Sequence, residues 1–423
     1  MKGVLNLSKV VKSTYLAEAV AGFTPRTAME EAARCLLCHD APCSQACPAG
    51  TDPAKFIRSI RFRNVMGAAE TIRENNVMGG TCGYVCPYDR LCEGACSRCG
   101  IDKPIQIGRL QRYAIEQEKA VGQKTLTAPA EKLGKVACIG AGPASLACAA
   151  KLAQAGYEVT IYEAEAKAGG VLTYGITPSR LPQEVVDHDV KQVEDLGVKF
   201  VFNTKVGKDI QIADLQKEYK AIFVGAGLWQ AKLPDVPGTE KTGVITAVDF
   251  LKAARTSGGT YVPGKKVVVI GGGNVAMDCA VTAKLLGAET ALVYRRSIEE
   301  APAEMAEIQH IVDLGVSITT GFAPAEVVGD GKVEGMKFTG RDGVSALTMA
   351  CDTVVFAVGQ AAEDMTAVAP VAVNEKGLIV VDGARTNVAG IFAAGDVAHG
   401  GKTVVEAVAA GKAAAAEIVD YLK

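Results

Sequence analysis

The stretch VACIGAGPASLACAAKLAQAGYEVTIYE, residues 136–163, constrains the fold of this chain more than any other. An apolar run ends in Gly140-Ala141-Gly142-Pro143-Ala144-Ser145. A helical pattern carrying Ala147, Ala150, Leu152 and Ala153 follows, and Gly156 ends it. A second strand, Glu158 to Tyr162, closes on Glu163. Strand, glycine turn, helix and strand in this order form the unit that binds a dinucleotide. Gly140 allows the tight turn, and Gly142 lets the backbone approach a pyrophosphate. The helix N-terminus offers free N–H groups and a positive dipole end to that anion. Glu163 stands where a carboxylate binds a ribose 2′-hydroxyl. Ser145 replaces the third glycine of GxGxxG and is small enough for close helix–strand packing. A generic glycine turn accounts for the glycines alone; strand, helix, spacing and acid agree only on the dinucleotide.

The pattern recurs. A second unit, VVVIGGGNVAMDCAVTAKLLGAETALVYRR, follows Lys266, with a strand at Val267–Ile270 and the turn Gly271-Gly272-Gly273. Its helix is expected over Val275–Leu286 and its next strand over Thr290–Tyr294. It ends on Arg295-Arg296 where the first unit has an acid, and guanidinium pairs suit a ribose 2′-phosphate. Two solvated arginines at a strand end are the alternative. Different endings imply two different nucleotides. Between the units, Ala168-Gly169-Gly170 suits a chain passing close to a cofactor, Val185–Leu196 is an amphipathic helix and Ala221–Val224 a buried strand. Further on, Asp352–Gly359 and Ile391–Ala394 are expected as buried strands. The second delivers Gly395-Asp396 to its end, where Asp396 can accept from a flavin ribityl hydroxyl, cap the long helix from Thr403, or both.

Residues 1 to about 128 differ from the rest. Nine of the 13 cysteines lie between Cys35 and Cys99. The first group reads Cys35-Leu-Leu-Cys38-His-Asp-Ala-Pro-Cys43-Ser-Gln-Ala-Cys47-Pro48. The second holds Cys82, Cys86, Cys92, Cys96 and Cys99. Helical patterns surround them at Thr27–Cys38, Asp52–Phe62, Val65–Asn75 and Ile107–Lys119, with Thr51 or Asp52 as a cap and Pro53 at the first helical position. Soft thiolates suit iron–sulfur clusters or zinc. The closing CxxxCP matches the ferredoxin run, with a wider middle spacing. Zinc usually takes two separated CxxC pairs, so iron–sulfur is the better fit, with zinc and plain buried thiols as alternatives. His39 reads as a solvated loop residue.

Aromatics are scarce, with Trp229 the single tryptophan, and the net charge of −2 predicts no nucleic-acid or membrane affinity. No apolar run reaches transmembrane length. Lysines interrupt the N-terminal MKGVLNLSKVVKSTYL, a poor signal peptide. A cytoplasmic chain is expected, in which cysteines are reduced, metal-bound or redox-active.

Across its whole length the chain resembles the flavin-containing subunit of bacterial NAD(P)H-dependent dihydropyrimidine dehydrogenase and the N-terminal half of the single-chain eukaryotic enzyme. The residues that carry this are Cys35-Leu-Leu-Cys38-His-Asp-Ala-Pro-Cys43, Phe56-Ile57-Arg58-Ser59-Ile60, Gly67-Ala68-Ala69, Ile107-Gly108-Arg109-Leu110-Gln111 and Gly142-Pro143-Ala144-Ser145. The glutamate synthase small subunit and the large subunit of the ferredoxin-dependent NADH:NADP transhydrogenase are similar more distantly. The resemblance implies an α/β fold with an N-terminal all-α iron–sulfur domain, 1–128. It implies two Rossmann-like domains of the flavin disulfide reductase type: an FAD domain, 129–231 and 361–423, with an NAD(P)H domain, 232–360, inserted in it. One [4Fe–4S] cluster would use Cys35, Cys38, Cys43 and Cys96; a second would use Cys47, Cys86, Cys92 and Gln111. FAD would lie against Gly142, Pro143, Ala144, Glu163, Val171, Arg180, Val206 and Asp396, with Gly140, Gly395 and Thr403 beside them. NAD(P)H would contact Gly272, Gly273, Asn274, Val275, Arg295, Arg296 and the strand end Ala357-Val358-Gly359. The eukaryotic enzyme carries a further arginine where this chain has Ile298-Glu299-Glu300-Ala301, so one 2′-phosphate partner is missing, with acids nearby. That argues against strict NADPH selectivity.

The chemistry follows from the cofactors. NAD(P)H gives a hydride, iron–sulfur clusters take one electron at a time, and FAD does both, so no acid–base side chain is expected in a catalytic role. The resemblance implies an electron-input half that serves an FMN-containing, pyrimidine-reducing partner in a hetero-oligomer, a heterotetramer. Input to glutamate synthase or to a bifurcating transhydrogenase is the alternative. A flavin disulfide reductase needs a redox cysteine pair beside the flavin, and neither the stretch after Gly170 nor Cys279 supplies one. A regulatory iron–sulfur protein leaves two intact nucleotide units unexplained.

Overall fold

The computed structural model describes residues 14–423, so most of the N-terminal stretch weighed as a signal peptide lies outside the described residues. The described chain divides into two compact units. One spans Val20–Thr173, Gln183–Leu228 and Ala362–Lys423; the other takes in residues 14–19, Tyr174–Pro182 and Trp229–Ala361.

The first unit begins with the helices Pro25–Ala33, Pro53–Arg61, Val65–Asn75, Gly79–Val85 and Ile107–Val121. Each start has a local cause. Thr24 and Thr27 form a capping box ahead of Pro25. The Asp52 carboxylate accepts the Lys55 N–H at 3.1 Å and the Ser44 hydroxyl at 2.6 Å. Asn64 accepts the Gly67 N–H at 3.0 Å. The helices bury Phe56, Ile57, Ile60, Ile72 and Leu110, with Cys35, Cys43, Cys92 and Cys96 half-buried at the edge of that core. The spacing predicted a first helix reaching Cys38, but it stops at Ala33. The Arg34 and Cys35 N–H groups fold back onto Glu31 and Ala32, and Leu37 takes a left-handed φ of 54°, which puts Cys35 and Cys38 on a loop.

The same unit holds a five-stranded parallel sheet ordered Ile391–Ala393, Ala221–Val224, Gly134–Ile139, Tyr157–Tyr162, Lys199–Val201. The helix Pro143–Gln154 covers one face, and Ser145 is fully buried on it. Its hydroxyl occupies space that Gly225 leaves open: a Cβ at 225 would stand 2.3 Å from it. That is why a serine serves in place of the third glycine. The C-terminal helix Val404–Leu422 packs on the first, and a Cβ at Gly411 would fall 2.0 Å from the Ala144 carbonyl oxygen, so only glycine allows this approach. Thr403 and Glu406 form the capping box of that helix. Asp396 does not cap it; its carboxylate accepts the Lys402 N–H just before the helix, at 3.1 Å.

The second unit repeats the plan. Its parallel sheet runs Val244–Thr246, Thr353–Phe356, Lys266–Ile270, Glu289–Tyr294, Ser317–Thr320. Helices Ala247–Thr256, Asn274–Leu285 and Met305–Asp313 bury Phe250, Met277, Ala280 and Ile311 against it. A three-stranded antiparallel sheet, Phe322–Val328, Gly335–Gly340 and Ala346–Ala350, adds Met336 and Phe338 to the core on its other side. This is an α/β fold of the flavin disulfide reductase type with an N-terminal helical domain. Among the described residues, no helix is long and apolar enough to cross a membrane.

Candidate functional site

In the first dinucleotide turn, Gly142 is the N-cap of Pro143–Gln154, no side chain caps that helix, and space in front of Gly142 is open. Free N–H groups at a helix start facing open space fit a pyrophosphate. Glu163 ends its strand beside this turn. One carboxylate oxygen accepts the Ala141 N–H at 2.6 Å and the other the Glu165 N–H at 2.8 Å. Burial raises the pKa of this acid, with the backbone N–H groups opposing. The loop after the acid folds back on the turn: Gly169 N–H donates to Ala141 at 2.8 Å, and a Cβ at Gly170, whose φ is +56°, would approach Gly142 Cα at 3.0 Å. A Cβ at Gly395 would meet the Ala144 Cβ at 2.8 Å, which brings Gly395-Asp396 to the same turn. Burial pushes Asp396 up to about 6. Val171 starts the short helix Val171–Tyr174, 40% exposed, and Val206 is buried in the sheet core beside Ile139 and Tyr162. Arg180 belongs to the other unit. There it pairs with Glu307 at 3.0 Å and Asp278 at 3.5 Å, long-range contacts that leave no local mark in the chain.

In the second turn, Gly273 is the N-cap of Asn274–Leu285, again with no side-chain cap. The strand end Ala357-Val358-Gly359 closes on it, since a Cβ at Gly271 would fall 2.4 Å from the Ala357 carbonyl oxygen. Asn274 accepts the Glu304 N–H at 2.8 Å, and Val275 follows it on the helix. Arg295 and Arg296 are exposed just past Glu289–Tyr294, and neither guanidinium has a hydrogen-bond or ion-pair partner among the described residues. The neighbouring acid Glu300 is taken by Arg341 at 2.9 Å. No motif singles out Arg341: it follows Gly335–Gly340, and Gly321 bonds to both the Arg296 carbonyl and the Arg341 N–H.

The cysteines form two groups. Cys35, Cys38, Cys43 and Cys96 line one cavity with Leu36, Pro42, Ile57 and Ile105. Burial and mutual repulsion of these thiols raise Cys35 and push Cys43 up to about 11. The Leu37 and Ser44 N–H groups point at the two sulfurs and oppose this. The second group gathers around Cys86, whose thiol is raised well above the ordinary value by a hydrogen bond with Cys82, by burial, and by Cys92 and Cys47. Four soft sulfur donors on one cavity, with a second group of neighbouring thiols, are a donor set that fits iron–sulfur clusters. Gln111 is buried on Ile107–Val121 and donates its amide N–H to the Gly79 carbonyl at 2.7 Å, at the start of the helix that carries Cys82. Cys99 is exposed, with its thiol toward the Glu93 carbonyl, and His39 is exposed on its loop. Cys138 and Cys148 adjoin in the sheet core, but both are wholly buried, as is Cys279.

Residues 134–411 match the pyridine nucleotide-disulphide oxidoreductase family, and residues 12–123 match dihydropyrimidine dehydrogenase domain II, 4Fe-4S cluster. The chain is 45% identical over 417 residues to the NAD-dependent dihydropyrimidine dehydrogenase subunit PreT of Escherichia coli O157:H7, covering 97% of this chain and 98% of that protein. It is 32% identical to the glutamate synthase [NADPH] small chain of Escherichia coli K12, over 95% of this chain and 93% of that one. In fold, it is similar to Mycobacterium tuberculosis FprA in complex with NADPH, with a TM-score of 0.60 at 19% identity, over 68% of this chain and 84% of that chain.

Proposed function

This chain belongs to the pyridine nucleotide-disulphide oxidoreductase family, and from that premise we propose that it is the electron-input subunit of an NAD(P)H-dependent dihydropyrimidine dehydrogenase. It is an oxidoreductase, a flavoprotein with an NAD(P)H domain and a [4Fe–4S] domain. The observation that carries the fuller reading is the cysteine arrangement: Cys35, Cys38, Cys43 and Cys96 share one cavity, and Cys47 and Cys92 stand by Cys86. That grouping supports two clusters, the second with Gln111 or Cys82 as the candidate for its fourth ligand.

In this reading, Gly140, Gly142 and the start of Pro143–Gln154 bind the FAD pyrophosphate, Glu163 binds its ribose, and Asp396 binds its ribityl chain. Gly272, Gly273 and Asn274 bind the NAD(P)H pyrophosphate, and Arg295 and Arg296 face the 2′ position. FAD held there would supply the exchange between hydride and single-electron transfer, and clusters held by the cysteines would supply one-electron carriers. The chain's own residues bind, orient and insulate these groups. Electrons leave to an FMN-containing partner that reduces uracil or thymine, in a cytoplasmic hetero-oligomer. The similarity to the glutamate synthase small chain supports a second acceptor, the partner subunit of a glutamate synthase.

Co-purification with each candidate partner tests this. The expected result is uracil-dependent NAD(P)H oxidation only when the FMN subunit is present, with the isolated chain reducing artificial acceptors alone. Uracil reduction by the single chain would sink the input-subunit reading, and glutamate formation with a glutamate synthase partner subunit would move it to the second acceptor.

A further inference from the structure

The C-terminal helix Val404–Leu422 meets the flavin turn and a cysteine loop at successive residues. Gly411 lies against Ala144 of the first dinucleotide turn. Lys412 donates from Nζ to the Ala49 carbonyl at 2.5 Å and to the Asn75 carbonyl. Ala49 belongs to the tight turn from Cys47 to Gly50, closed by the Gly50 N–H on the Cys47 carbonyl at 2.9 Å. The half-buried ammonium therefore sits beside Cys47. Burial and the ammonium of Lys151 pull the Lys412 pKa down, and Cys47 acts in the opposite direction.

Lys151 supplies the comparison. From the helix Pro143–Gln154 it donates to the Glu74 carbonyl at 2.8 Å, so both lysines cap the C-terminal end of Val65–Asn75. Capping alone does not require two ammonium groups that repel one another. The second one differs in its hold on the turn that follows Cys47.

We propose that Lys412 is a positioning residue that ties the Cys47–Gly50 turn to the flavin-side helix and raises the potential of the cluster Cys47 ligates. This rests on the reading of Cys47 as a cluster ligand. When a cluster accepts one electron, it gains one negative charge. A fixed cation nearby stabilises that reduced state more than the oxidised one and so raises the midpoint potential.

The test is an EPR-monitored redox titration of the full chain, with iron and FAD content, for the parent, Lys412→Met, Lys412→Arg and Lys151→Met. The signal that Cys47→Ser abolishes or alters identifies the cluster. Lys412→Met should keep FAD and shift that midpoint to lower potential; Lys412→Arg should stay near the parent, and Lys151→Met should not move it. If Lys412→Met fails to assemble, Lys412→Gln takes its place, keeping an N–H donor without the charge. A cluster held in Lys412→Arg but lost in Lys412→Gln reads the same way as the shift. An unchanged potential in a charge-free variant with full iron overturns the proposal. So do equal shifts in Lys412→Met and Lys151→Met, or loss of the cluster in Lys412→Arg as well as Lys412→Gln. Iron at background in the parent, or no effect of Cys47→Ser, would refute the cluster reading itself.

Discussion

The Asp189 carboxylate lies 2.6 Å from the Arg73 guanidinium, and neither side chain reaches solvent. Arg73 also grips Glu118 through two nitrogens at 2.7–3.1 Å. Asp189 accepts the Gly80 and Thr81 N–H groups at 3.2 and 2.6 Å, at the start of the helix that ends before Cys86. Burial works against the Glu118 carboxylate, but His188, Arg73 and Thr125 outweigh it and hold its pKa below the ordinary value. The network fastens the helix Gln183–Glu194 to the segment that presents Cys82 and Cys86.

Arg73→Met removes one charge and leaves two carboxylates buried without it, which should cost about 3–5 kcal/mol. Lys55→Met, which breaks the exposed 3.7 Å pair with Glu74, should leave stability unchanged within error. Urea-unfolding midpoints of the two variants check this. Similar small losses in both would show that water screens the Arg73 network.

Asp278 gives a pH dependence in the other unit. Burial pushes its pKa up to about 6, with Arg180 opposing and Glu307 adding to the rise. The native carboxyl therefore keeps its proton up to about pH 6, while the unfolded one loses it near the ordinary aspartate value. Between those limits the native state binds more protons, so this group's contribution falls as pH rises. Asp278→Asn has no such proton to lose. Its stability relative to the parent should grow by roughly 2–3 kcal/mol between about pH 4 and pH 6.5, because each tenfold difference in proton affinity between the two states is worth about 1.4 kcal/mol. A difference in unfolding midpoint that stays flat over that range would show that Arg180 keeps Asp278 ionised throughout.

The local devices were legible from the sequence. The helix Val65–Asn75 has the ends its periodicity predicts, and both glycine turns fall where strand, turn and helix were expected. The helix Gly79–Val85 was not legible, because three glycines lower its propensity and its first N–H groups are held by Asp189, 109 residues away from Gly80. The antiparallel sheet does leave a signal, a short alternation: Met336 and Phe338 face inward while Lys337 and Thr339 face out. For the sites, spacing brings residues to the right turn, but the ion pairs of Arg180, the Arg341–Glu300 pair and the reach of Lys412 to Ala49 are long-range contacts that no local pattern encodes.

The two nucleotide turns should fail differently. Glu163→Arg puts a cation where the carboxylate anchors the Ala141 N–H and would meet a ribose, so FAD should be lost on gel filtration. Arg295→Ala should keep FAD and raise the KM for NADPH about tenfold, the scale of one charge-assisted hydrogen bond, with little change for NADH. Glu300→Ala frees Arg341 beside the arginine pair and should lower the KM for NADPH. Equal effects on NADH and NADPH would show that Arg295 does not read the 2′-phosphate.

Gln111 and Cys82 stand on packed helices, Ile107–Val121 and Gly79–Val85, and compete for one role. Cys82 is buried and hydrogen-bonded to Cys86, so position alone would allow it to complete a four-thiolate set with Cys47 and Cys92. Gln111 uses its amide nitrogen on Gly79, so a ligand role would fall to its amide oxygen. That oxygen is neutral and harder than a thiolate, so a cluster it completed would be less negative and should have a higher potential. Cys82→Ser and Cys99→Ser should each keep both clusters, Cys99 because its thiol is exposed and turned to the Glu93 carbonyl. Gln111→Ala should perturb or lose one cluster while FAD stays bound, and Gln111→Cys should lower its potential if the thiolate is accepted. Iron content and low-temperature EPR of the four variants decide between the ligands. Loss of a cluster in Cys82→Ser, with Gln111→Ala unchanged, would give the fourth position to Cys82.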